Sequence, residues 1–152
     1  MRDTIRQGGF TLVELMVTVV ILGILTAIAV PSYRDYVIRA ALGDAMSNLA
    51  TKRVQNEQWF QDNRSYIGAP GCEPDYASSN NPSSKYFNFS CTPNPTATSY
   101  TLLAEGVGGG ITANFRYTLD QTNTKKTLEV PSGWNIGDQI NRPCWVSKRS
   151  GC

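Results

Sequence analysis

Residues 8–31 read G-G-F-T-L-V-E-L-M-V-T-V-V-I-L-G-I-L-T-A-I-A-V-P. Between Leu15 and Tyr33 no side chain is charged, and most are Leu, Ile, Val, Ala or Met. A helix rising ~1.5 Å per residue over residues 10–33 is about as long as the hydrocarbon core of a bilayer is thick. One charge lies inside it, Glu14. A carboxylate in hydrocarbon costs roughly 2.5–3.5 kcal/mol at mid-membrane and less near an end, so it is expected to have a partner and a task. Upstream, the short segment of residues 1–9 carries Arg2 and Arg6 against Asp3 and ends in Gly8-Gly9. The order is a basic leader, a small-residue site, then an apolar helix with one acid near its start.

Two plainer readings compete. A secretory signal peptide would be cut behind Ala27-Ile28-Ala29, an A-x-A pattern after an apolar run. Against it, Glu14 interrupts the start of that run, and helical patterning continues past Pro31. A simple membrane anchor would leave Glu14 without a role, which the cost of burying an acid argues against.

G-G-F-T-L-V-E-L resembles the prepilin signal of type IV pilins and their pseudopilin relatives. Gly9, Phe10 and Glu14 match that pattern residue by residue, as do Gly23 and Pro31 within the helix. The resemblance covers about the first quarter of the chain. It implies insertion in the inner membrane as a single-pass precursor, cleavage after Gly9 by a prepilin peptidase, and N-methylation of Phe10. It also implies an inner-membrane assembly platform and other pilin subunits as partners, with an extracellular pilus as the final location. The expected division is a leader over 1–9, a membrane and filament-core helix over 10–31, and a head over 32–152.

Beyond Pro31 the helix is expected to reach about Gln61. Tyr33, Val37, Ala41, Ala45 and Leu49 follow at four-residue steps, with Ala40, Leu42 and Met46 beside them, a stripe suited to lying on a sheet. Arg34, Asp35, Arg39, Asp44, Lys52 and Arg53 fall on the other side. Such a helix is some 75 Å long, whereas a globule of this size is only ~30 Å across, so its apolar half is expected to be covered by lipid or by other copies. Gly23 and Pro31 are where helix hydrogen bonding is weakest, places for a local melt or bend on repacking.

Residues 63–84 read as a long polar surface connection without a regular core. Strand signals follow at 86–91, 99–104, 111–120 and 126–130, the third being the clearest, with Phe115, Tyr117 and Leu119 on one face. The fold class expected is α+β, a long N-terminal helix packed on a three- or four-stranded antiparallel sheet. Gly106 to Gly110, G-V-G-G-G, lacks the G-K-[ST] of a phosphate-binding loop and reads as a turn.

Composition narrows the function. The chain has 152 residues, 14 Lys and Arg against 12 Asp and Glu, and no His. His-based triads and His-ligated metals are thereby excluded. No cofactor motif is present, and an anchored enzyme is disfavoured. The four cysteines, Cys72, Cys91, Cys144 and Cys152, include no C-x-x-C, and an even count in an exported domain reads as disulfides. Three pairings are open; Cys72–Cys91 and Cys144–Cys152 are favoured because each closes a short loop.

The carboxyl-terminal stretch also resembles the disulfide-bounded end of type IV pilins. Residues 55–66 and the terminal Cys-Trp look like minor pilins of the PilE kind, so a minor pilin serving pilus assembly, twitching motility or adhesion is the leading expectation. A major pilin, a DNA-uptake pilin and a type II secretion pseudopilin are the alternatives. For DNA the relevant groups would be Lys125, Lys126, Trp145, Lys148 and Arg149, a basic and aromatic mixture suited to phosphates and bases.

Overall fold

The computed structural model describes residues 9–77, 82–134 and 143–152. One helix, α1, runs over Leu12–Asn63, and four strands follow: β1 Phe87–Cys91, β2 Thr101–Gly106, β3 Arg116–Asp120 and β4 Lys125–Glu129. The chain divides into two compact units, Met1–Val37 and Ile38–Cys152. The fold is α+β, with the long helix and the antiparallel sheet that the type IV pilin resemblance implies.

In the first unit the helix starts where Thr11 takes the cap position. Its Oγ1 accepts the Glu14 amide at 3.2 Å, and its carbonyl accepts the Leu15 amide. The first of these satisfies a donor that the first helical turn otherwise leaves orphaned; the second is the first regular bond of the helix. The T-x-x-E spacing is that of a capping box, of which the Thr11 half is formed. From Leu12 to Val30 the side chains are exposed, and this run is long and apolar enough to cross a membrane. Hydroxyls within it are satisfied locally. Thr18 Oγ1 donates to the Leu15 carbonyl, and Thr26 Oγ1 is shared between the carbonyls of Leu22 and Gly23.

The second unit is a four-stranded meander in the order β1-β2-β3-β4, every pair antiparallel. Register aligns Phe89, Ala104, Tyr117 and Thr127 in one row across all four strands. All four are buried, because successive strand residues alternate between faces and this row takes the inner one. Leu42, Ala45 and Leu49 of α1 pack into the same core as Phe87, Phe89, Leu102, Phe115 and Leu119. Full burial of a Phe or Leu side chain contributes roughly 1.5–3 kcal/mol.

Three expectations change at this level. Lys52, placed on the solvent side by its polarity, is buried, with its ammonium 3.2 Å from Asp75 Oδ2. Conversely, Tyr33 and Ala40 of the expected stripe are exposed. The connection after the helix is less open than its composition implies. Tyr66, Ala69 and Gly71 are buried, a 3-10 turn forms at Pro70–Cys72, and Asp75 pairs with Phe89 by two backbone hydrogen bonds. Finally, strand structure in the third segment begins only at Arg116. Residues 107–115 form successive turns, closed by bonds from Gly110 to Val107, Ala113 to Gly110 and Phe115 to Thr112. Asn114 has φ of 65°, in the left-handed region where Asn is tolerated.

Candidate assembly helix and head surface

The residues singled out for processing and assembly all fall in the first unit. Gly9 and Phe10 precede the helix, and both are exposed, Phe10 by 82%. The leader residues 1–8 lie outside the described residues. Glu14 sits in the first helical turn and is exposed. An acid there is favoured by the helix dipole. Gly23 and Pro31 lie inside a helix that is assigned without interruption from Leu12 to Asn63. A Cβ built on Gly23 would meet nothing within 4 Å. No contact within one chain therefore demands glycine there.

The cysteines are bonded as Cys72–Cys91 and Cys144–Cys152. The first joins the 3-10 turn to the end of β1. Beside it, Asn56 Nδ2 donates to Cys72 Sγ, and a Cβ on Gly71 would collide with the Lys52 carbonyl and Asn56 Oδ1. Gly71 is thus required by the close approach of this turn to α1. The second disulfide closes the carboxyl-terminal segment, which docks by polar bonds that sequence reasoning missed. Tyr117 Oη donates to the Val146 carbonyl at 2.7 Å. Thr127 Oγ1 accepts the Val146 amide and donates to the Cys144 carbonyl. Val146 is fully buried. Burial raises the Tyr117 phenol well above its usual value, keeping it a neutral donor.

A second network, centred on a half-buried carboxylate, also went unread. Glu57 on α1 accepts from Tyr66 Oη at 3.0 Å and Tyr100 Oη at 2.8 Å. The two tyrosine rings pack edge to face. Burial first, then the Glu57 bond, raises the pKa of both phenols.

Of the candidate DNA-contacting groups, Lys125, Lys126, Lys148 and Arg149 are exposed. Lys125 Nζ lies 4.9 Å over the Trp145 ring, and Arg149 Cζ lies 5.9 Å over Trp134. Trp145 is tied down by its Nε1 donating to the Thr118 carbonyl, and Arg149 reaches the Gly133 carbonyl. The structure therefore joins Lys125 to Trp145 and seats Arg149 on Trp134. Arg142 lies outside the described residues. Elsewhere on the outer sheet face a groove of about 490 Å³ is crossed by the register row Asn88, Glu105, Arg116 and Glu129. Arg116 stands 3.3 Å from Glu105 and 4.0 Å from Glu129. Two carboxylates to one guanidinium make that groove unwelcoming to phosphates, and its charges are spent on cross-strand pairing.

An apolar capped helix behind a glycine pair, followed by a helix-on-meander head with two disulfides, is the layout of a pilin-type subunit. Residues 5–30 match the family model described as "Prokaryotic N-terminal methylation motif". Residues 31–114, more than half of the chain, match the model described as "Type IV minor pilin ComP, DNA uptake sequence receptor", and the chain belongs to that family of type IV pilins. Among curated proteins it is similar to a fimbrial protein of Moraxella nonliquefaciens, 43% identical over 65 residues, covering 38% of this chain and 42% of that protein. Fimbrial protein EcpC of Eikenella corrodens is 41% identical over 56 residues, 37% of each chain. A type IV major fimbrial protein FimA of Dichelobacter nodosus is 43% identical over 58 residues, 38% of this chain and 37% of that one. The chain thus spans about two fifths of the length of these relatives. No solved structure matches it significantly.

Proposed function

We propose that this chain is a minor subunit of a type IV pilus. It enters the inner membrane as a precursor, is cut after Gly9 by a prepilin peptidase, is methylated on Phe10 and joins a filament through its apolar helix. Cleavage would expose a cationic amine on Phe10, one helical turn from Glu14. On assembly the amine of an entering subunit pairs with Glu14 of a neighbour, because burying either charge alone is strongly destabilising. Mismatched stagger leaves both unpaired, so the pair sets register. The observation that carries this reading is the methylation-motif match over residues 5–30 on an exposed apolar helix whose one acid is Glu14. Mass spectrometry of the mature chain tests it. A methylated Phe10 at the amino terminus is expected; a chain beginning at Val30 would overturn it.

A second reading is favoured by the family description, which names a DNA uptake sequence receptor. On this reading the head also captures DNA for uptake. Lys125, Lys126, Lys148 and Arg149 are the candidate phosphate contacts, and all lie beyond residue 114, so they rest on their exposure and not on the family match. A gel shift with the detergent-solubilised chain at increasing salt tests it, since phosphate contacts make affinity fall steeply with ionic strength.

A further inference from the structure

We propose that Tyr33 and Tyr36 form an interfacial anchor that fixes how deeply the precursor helix sits in the bilayer. The inference rests on the membrane-precursor reading above. Its partner is the headgroup layer of a phospholipid membrane. The two tyrosines are 68% and 71% exposed. Three residues apart on a helix, they share one face. They lie just beyond Pro31 and Ser32, after the apolar run ends at Val30, and Arg34 and Asp35 stand between them. Rings of this kind prefer the boundary between hydrocarbon and water, with the ring in the apolar border and the hydroxyl among headgroups.

The spacing fits a bilayer. At ~1.5 Å per residue, Tyr33 lies about 32 Å and Tyr36 about 36 Å along the helix from Leu12. The hydrocarbon core is about 30 Å thick, and about 40–45 Å with headgroups. With the tyrosines at one interface, Gly9 and Phe10 therefore fall at the other. The apolar run alone specifies depth loosely, because Pro31 and Ser32 at its end are uncharged and the first charges beyond them, Arg34 and Asp35, stop a slide only after about three residues. At the other end Glu14 lies inside the run and favours displacement toward its own surface. The tyrosines oppose that displacement, and the peptide bond to be cut is held at a constant height.

The test places a spin label on Ser32→Cys in the full-length chain, where the four native cysteines are all in disulfides. The protein is reconstituted in vesicles of phosphatidylethanolamine and phosphatidylglycerol. Label depth is read from oxygen against nickel-complex accessibility. Tyr33→Ala with Tyr36→Ala should leave the chain inserted but move the label on the order of one helical turn, about 5 Å. Tyr33→Trp with Tyr36→Trp should keep the parent depth. An unchanged depth in the alanine pair, or an equal shift in the tryptophan pair, would overturn the anchor. A label in bulk water already in the parent would instead refute membrane insertion itself.

Discussion

At the scale of single residues, Glu14 carries two separable properties. Its amide is capped by Thr11, and its carboxylate is the charge of the apolar run. The capped group is a backbone amide, which both glutamine and alanine retain at this position, so either substitution removes the charge and leaves the cap. Both Glu14→Gln and Glu14→Ala should be cleaved at the normal rate and yet be depleted from sheared filaments by roughly tenfold or more, since either leaves a buried amine unpaired. Immunoblots of the filament and membrane fractions measure this. Normal entry of Glu14→Gln would mean that assembly does not need the charge. Gly71 presents a purely steric case. Its missing Cβ makes room for the Lys52 carbonyl and Asn56. Gly71→Ala should destabilise the head by about 1–3 kcal/mol, seen as a lower denaturation midpoint.

At the scale of elements, the connection from α1 to β1 is held by Asp75. Its carboxylate meets Lys52 and accepts the Ser83 amide, and its backbone pairs with Phe89. Burial pushes the Asp75 carboxyl upward, but the bonds from Ser83 and Lys52 outweigh it and leave the group below its ordinary value. A carboxyl lowered by folding adds stability that is fully present above the unfolded pKa, near 3.9, and is lost as pH falls below it. Asp75→Asn should therefore cost about 3–5 kcal/mol at neutral pH by stranding buried Lys52, and much less at pH near 2. Urea unfolding of both proteins at the two pH values checks the sign; an equal deficit at both would exclude the ion pair as its source. This pair also marks where the sequence ceases to be legible. Helix and strands were readable because their periods of 3.6 and 2 are local properties of Ala41, Ala45 and Leu49 or of Phe87 and Phe89. Lys52 was not, because its partner lies in a loop whose path only the folded chain defines. Residues 111–115 misled for a related reason: Phe115 continues the alternation of β3 and is buried, but it is reached through hydrogen-bonded turns. The methylation motif was readable because it is one contiguous stretch, residues 5–30. The docking of Val146 through Tyr117 and Thr127 joins separate segments and was invisible.

At the scale of the whole molecule, charge decides what a DNA-binding reading requires. Fourteen basic against twelve acidic residues give a formal charge of only +2, too little for the overall field to gather nucleic acid. Any attraction must be local. Several ions of the head are already paired, Lys52 with Asp75 and Arg116 with Glu105 and Glu129. Residues 121–152 differ, holding Lys125, Lys126, Arg142, Lys148 and Arg149 against Glu129 and Asp138. Lys125 and Arg149 also brace tryptophans, so their removal would disturb packing as well as charge. Lys126 and Lys148 are the cleaner probes, being exposed. Each phosphate contact steepens the fall of log affinity with log salt by ~0.9 for duplex DNA. Lys126→Ala with Lys148→Ala should therefore lower that slope by about 2, weaken different DNA sequences alike and leave the melting temperature unchanged. An unaltered slope in a chain that still binds would move the contact face away from these lysines, toward residues 31–114, where the family match lies.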